Sequence, residues 1–165
     1  MAEQWSNNIE FENIDIVWSS NYVRAMSTAK YIAYRNNIKV NIDERFNERI
    51  HGVDKWEELP NNFEVNQFND ENYKVGYGES QKEVQTRMYE ALIELIKENK
   101  GKKIAIVSHS TAMAFLLKMF GDIQYDGDYQ FNGKKYFDGK WNYLETFKLE
   151  FDETNELIMI TNIVE

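Results

Sequence analysis

The chain has 165 residues, 42% hydrophobic and 28% charged, which suits one folded domain and excludes a disordered chain. Its 19 basic and 28 acidic residues leave a net charge of -9, so nucleic acid is excluded as a partner, and a bound phosphate needs a local cationic pocket. There is no cysteine, hence no thiol chemistry. The first residues carry no basic n-region or apolar h-region, and the apolar runs are strand-sized, so the expected location is the cytoplasm, away from membranes.

Residues Met1 to Asn8 read as the tail of a helix. The β-branched run Ile14-Asp15-Ile16-Val17-Trp18 predicts a buried strand, and Ser19-Ser20 can cap the helix that follows. Val23, Met26, Ala29 and Ile32 recur at helical spacing to about Arg35, and Ile38 to Ile42 alternates as a half-buried strand. Residues 52–78 hold the only proline, Pro60, many Asn residues and the aromatics Trp56, Phe63, Phe68, Tyr73 and Tyr77; they read as an irregular, lid-like insertion. Ser80 and Glu83 form a capping box for the clearest helix, whose stripe is Val84, Met88, Ala91, Leu92, Leu95 and Ile96, with Gly101 as its stop. Ile104-Ala105-Ile106-Val107-Ser108 reads as a second fully apolar strand. His109-Ser110-Thr111 leads into an apolar helix from Ala112 to Phe120. The tail carries the turn dipeptides Asp126-Gly127, Asn132-Gly133 and Asp138-Gly139, then two strands, Asn142 to Phe151 and Glu156 to Val164.

This order predicts a single α/β domain over residues 1–165: a three-layer α/β/α sandwich with a mostly parallel sheet and an antiparallel C-terminal hairpin. In such sheets the site lies at the carboxyl ends of the strands. Two strands end in polar turns, Ser19-Ser20 and Ser108-His109-Ser110, which brings Arg24 and His109 to one crevice. Arg24, one turn into its helix, can grip phosphate oxygens with its planar fork. The helix starting near Ser110 adds backbone N–H groups and a positive dipole end, and His109 is a donor when charged or a base when neutral.

Ser19-Ser20-Asn21-Tyr22-Val23-Arg24-Ala25-Met26-Ser27-Thr28-Ala29 resembles the histidine phosphatase motif S-S-x-x-x-R-A-x-x-T-A. Phe46-Asn47-Glu48-Arg49-Ile50-His51-Gly52 resembles the segment carrying that family's acid-base glutamate. Gly78-Glu79-Ser80 with Arg87, and Val107-Ser108-His109, resemble two further motifs of this phosphoglycerate-mutase-like superfamily. The resemblance implies hydrolysis of a small phosphomonoester through a phosphohistidine, without metal or cofactor. It makes Glu48 and His109 catalytic, Arg24, His109 and Ser110 phosphate-binding, and Arg49 and His51 substrate-binding.

The family's R-H-G segment, with its nucleophilic histidine and first strand, has no counterpart here. Only two histidines exist: His109 matches the second catalytic one, and His51 stands where some mutases have tyrosine, more in keeping with packing than with attack. Ser110 replaces the usual glycine. The expectation is a domain incomplete at its N-terminus with impaired catalysis; the alternative is a phosphate-binding or oligomerising pseudophosphatase. A missing central strand leaves open edges, which the chain can cover by re-pairing its strands, by forming a homodimer, or with a strand from a longer gene product.

Overall fold

The apolar run after Asn13 becomes the central strand. The computed structural model describes residues 1–163. In it β1 (Ile16–Ser19) pairs in parallel with β2 (Val40–Ile42) on one side and β3 (Ile104–Val107) on the other. Among the described residues five α-helices accompany them: α1 (Ala2–Trp5), α2 (Val23–Arg35), α3 (Phe63–Asn69), α4 (Gln81–Glu98) and α5 (Ser110–Leu117).

Strand alternation divides the side chains between two cores. Val17, Ala105 and Val107 meet Trp5, Phe11, Ala29, Ile32 and Ala33 on the face covered by α1 and α2. Trp18, Ile104 and Ile106 meet Met88, Leu92, Leu95 and Phe115 on the face covered by α4 and α5. The result is the expected α/β sandwich with a parallel sheet.

Several local expectations need correction. The buried face of α2 is Ala25, Ala29, Ile32 and Ala33, whereas Val23 is 75% exposed. Alanines let the helix lie close to the sheet. Ser20 does not cap α2; its N-cap is Tyr22, whose side chain makes no capping bond. The insertion 52–78 is not wholly irregular, because α3 buries Phe63, Gln67 and Phe68. The helix after His109 begins at Ser110 and ends at Leu117. The capping box is present as read, with the Glu83 N–H on Ser80 Oγ at 3.2 Å and the Ser80 N–H on Glu83 Oε2 at 2.8 Å.

The tail adds two antiparallel sheets. One is a meander, β4 (Asp122–Ile123), β5 (Tyr129–Phe131) and β6 (Lys134–Phe137). Asn132 and Gly133 turn it with φ of 49° and 74°, as a two-residue hairpin loop requires. The other is the hairpin β7 (Thr146–Phe151) and β8 (Leu157–Ile163); Val164 of the expected second strand lies outside the described residues. The hairpin is joined to the meander by edge-on rings, Phe147 at 5.2 Å from Phe137 and 5.4 Å from Trp141. It is also tied to α1 by Trp5 Nε1–H donating to Thr146 Oγ1 at 3.1 Å.

The strands have not re-paired to close the parallel sheet. Among the described residues β3 has β1 as its only strand partner. Lys103 and Val107 turn their carbonyls to β1, accepting from Ile16 and Ser20. By alternation the main-chain groups of Ile104 and Ile106 face the outer edge.

Candidate active site

The parallel register sets Ser19 opposite Val107, so β1 and β3 release their next residues side by side. Ser20, fully buried, lies with its Oγ 2.8 Å from His109 Nε2. From the first turn of α2, Arg24 Nε–H donates to His109 Nδ1 at 3.2 Å. A guanidinium only donates, so Nδ1 carries the lone pair and Nε2 carries the proton that Ser20 Oγ accepts. His109 is therefore neutral and cannot serve as a base toward Ser20. Burial, then the charges of Arg24 and Arg87, push its imidazole down to about 4. The Tyr22 ring packs 5.0 Å from the His109 ring and 4.9 Å from the Arg24 guanidinium.

This has a stability consequence. The unfolded imidazole titrates near 6.5 and the folded one near 4, so between these values the unfolded chain binds more protons. Stability is expected to fall as pH drops through that window, by up to about 3 kcal/mol. Melting His109→Gln beside the parent at pH 7, 5.5 and 4 checks this: the parent's extra acid sensitivity should vanish in the variant.

Arg24 differs from the other four arginines. Arg35 pairs with Glu12, Arg45 with Asp43 and Glu94, Arg49 with Glu64, and Arg87 with Glu79. Among the described residues no carboxylate pairs with Arg24, which is exposed at the crevice with both Nη groups unengaged.

Glu48 comes from the loop after β2. Its carboxylate accepts from the N–H groups of Ala112 at 2.9 Å, Thr111 at 3.3 Å and Arg49 at 2.9 Å. His109 is the N-cap of α5 but makes no side-chain cap, so Glu48 caps that helix from another element. Met113 N–H bonds to the His109 carbonyl. Among the described residues nothing takes the N–H of Ser110, an exposed residue at the first helical position.

The loop is held from below. Arg87 donates to the carbonyls of Arg45 at 2.7 Å, Asn47 at 2.9 Å and Glu48 at 3.3 Å, and grips both oxygens of Glu79. Ser108 Oγ–H donates to the carbonyl of Phe46, itself fully buried.

Arg24, His109, Ser110 and Glu48 thus come together. Arg49 and His51 are turned toward the insertion. Arg49 is 3% exposed; its guanidinium donates to Gln67 at 2.5 Å, pairs with Glu64 and lies 5.0 Å from the Phe63 ring. The His51 ring packs edge-on against Trp56 at 4.6 Å and 6.3 Å from Phe63, and burial, then Arg49, lowers its pKa. The sequence reading missed Ser20, Tyr22, Glu79 and Arg87 as parts of the site. The last two stood in a recognised motif without a role, and Ser20 was read as a cap.

Among the described residues no three His, Asp or Glu side chains gather as a metal ion requires, and no helix is long and apolar enough to cross a membrane. Strand ends of a parallel sheet carrying a histidine, an arginine without a carboxylate partner among the described residues, and a helix N-terminus meet in one crevice of an α/β protein. The family model of the histidine phosphatase superfamily (branch 1) matches residues 1–145, and the chain belongs to that superfamily. Solved structures with the same fold include a mycobacterial glucosyl-3-phosphoglycerate phosphatase in complex with VO3 (16% identity, TM-score 0.68, 99% of this chain and 82% of that one). YhfR of Bacillus stearothermophilus is another (19% identity, TM-score 0.68, 95% and 77%). A third is a phosphoserine phosphatase mutant from Entamoeba histolytica in complex with phosphoserine (20% identity, TM-score 0.66, 97% and 79%). The chain spans 66% and 65% of two further mycobacterial structures, a hydrolase and the native glucosyl-3-phosphoglycerate phosphatase. No curated protein matches the sequence.

Proposed function

We propose that this chain grips the phosphoryl group of a small phosphomonoester, in the manner of a phosphatase whose turnover is impaired. The observation that carries this reading is Arg24: the one arginine without a carboxylate partner among the described residues, packed on His109 where two strands end. In a chain of net charge -9, an unneutralised guanidinium at that place is suited to a phosphate. The Nη groups of Arg24 and the Ser110 N–H supply donors. His109 joins them by exchanging its contact with Arg24 for a proton and an oxyanion. Glu48, beside Ser110, is placed to protonate the leaving oxygen as phosphoryl passes to water, giving the alcohol and inorganic phosphate.

The impairment rests on the two histidines. Both ring nitrogens of His109 are engaged, and His51 is packed against Trp56 and Phe63. Neither is presented as a nucleophile. A homodimer fits a second reading, an oligomerising scaffold, for which the outer edge of β3 is the supporting observation; a monomer in sedimentation runs at micromolar concentration removes it.

Calorimetric titration with inorganic phosphate tests the main reading. Arg24→Ala is expected to weaken binding by about 100-fold, the loss of one charge-assisted bidentate contact, with Arg24→Lys between. Binding indifferent to Arg24→Ala sinks the reading. Turnover of an aryl phosphate at family-like rates, surviving both His109→Ala and His51→Ala, sinks the assigned roles.

A further inference from the structure

The geometry points to Gln67 as a positioning residue for Glu48, the acid of the reading above, on which this inference rests. From the insertion Gln67 fixes the Arg49 side chain, and through it the main chain that carries the Glu48 carboxylate to the N-terminus of α5.

Gln67 is fully buried on α3. A guanidinium only donates, so the amide oxygen of Gln67 faces Arg49 and accepts from Nη1 at 2.5 Å. Its amide N–H donates to the Glu79 carbonyl at 2.8 Å. One side chain thus ties together two segments that also bond to each other. The Ile50 N–H meets the Glu79 carboxylate at 2.9 Å, and the Glu79 N–H meets the Ile50 carbonyl at 2.9 Å. Glu48 lies two residues before Ile50, and its carboxylate accepts from the Arg49 N–H. Arg87 clamps this loop from α4, and Gln67 clamps it from α3.

Gln67, not Glu64, is the partner that holds Arg49 in place. The Arg49 side chain is 2% exposed and that of Glu64 is 40% exposed, so the ion pair opens to solvent on its acidic side and contributes little. Arg49 Nε is already buried with no partner among the described residues. Without Gln67 a second N–H group of the same guanidinium is stranded, and the side chain gains by swinging out toward water. The Arg49 main chain turns with it, and the Glu48 cap on Thr111 and Ala112 opens. The short helix α3 can hold this post because it is itself pinned. Its seven residues start without a side-chain cap and are too few to persist alone. Gln81 Nε2–H donates to the carbonyls of Gln67 and Phe68 at 2.8 and 2.7 Å, and Lys118 Nζ donates to the Phe68 carbonyl and lies 4.2 Å from its ring.

Amide exchange followed by NMR tests the assignment, with melting curves to show that each variant is folded. In Gln67→Met, which keeps the length and loses both polar atoms, the Ala112 N–H is expected to exchange at least about tenfold faster than in the parent, with the Lys118 N–H at the other end of α5 unchanged. Gln67→Glu still accepts from Arg49 but has no donor for Glu79, and should fall between; it carries the comparison alone if Gln67→Met does not fold. Gln81→Met removes two bonds to α3 without touching Arg49, so it should lower the melting temperature and leave Ala112 at the parent's rate. Ala112 exchange at the parent's rate in the Gln67 variants overturns the proposal. Equal acceleration of Ala112 and Lys118 overturns it too, because that is packing alone, and so does an equal effect from Gln81→Met. Failure of inorganic phosphate to bind the parent overturns the phosphate-binding reading, and the acid role of Glu48 with it; the exchange pattern decides the role of Gln67 alone.

Discussion

Arg87→Ala is expected to destabilise the fold by about 3 kcal/mol, a drop in melting temperature on the order of 10 °C, and to weaken phosphate binding as well. The side chains of Arg87 and Glu79 are 19% and 20% exposed, enough for removal of one partner to strand the other. Three carbonyls, of Arg45, Asn47 and Glu48, lose their donor at once. Those carbonyls belong to the loop that aims Glu48 at α5, so the site loosens with the fold. Arg87→Lys should recover little, because one ammonium cannot serve a carboxylate in two-point geometry and three carbonyls together. Thermal melts by circular dichroism, with phosphate titration at a temperature where both variants are folded, measure the two effects. A melting shift below about 2 °C would mean the network is idle.

Gly52→Ala is expected to cost about 4 kcal/mol, from backbone strain and overpacking combined. Gly52 has φ of 95°, and a Cβ there would lie 1.9 Å from the Val75 carbonyl oxygen and 2.4 Å from Gly78 N. Both are main-chain atoms, so no rotamer change relieves the clash. The two ends of the insertion meet at this point, where the Gly78 N–H bonds to Val75 and the Glu79 N–H to Ile50. Limited proteolysis should therefore cut the variant within residues 53–77 well before the parent chain. Equal protection of the two chains would refute the strain argument.

Much of this architecture could be read from residue patterns, and the exceptions have physical reasons. The runs at 14–18 and 104–107 announced β1 and β3 because strands covered on both faces carry apolar residues at successive positions, Asp15 lying just before β1. The Ser80 and Glu83 box marked the start of α4 because both bonds are local. The meander β4 to β6 was not legible: its strands are two to four residues long, and only their turns, at Asp126-Gly127 and Asn132-Gly133, showed. The α3 helix was hidden by Asn residues, and its Asn62 N-cap sits at φ of 64° without a capping bond. In the site, Arg24, Glu48 and His109 were legible from their places at strand ends and in motifs. Their partners were not. The Ser20 contact spans 89 residues and the bonds from Arg87 to the Glu48 loop about 40, distances at which a single sequence carries no pairing signal.

The one-sided pairing of β3 should be visible in hydrogen exchange. The N–H groups of Ala105 and Val107 point toward β1 and lie inside a ladder, so their exchange waits for the central sheet to open. Those of Ile104 and Ile106 point the other way and have no strand partner among the described residues. Protection should alternate along the strand, slow, fast, slow, although the side chains of Ile104 and Ile106 pack against a core. Any segment that later comes to lie along that edge would announce itself by slowing only the fast pair.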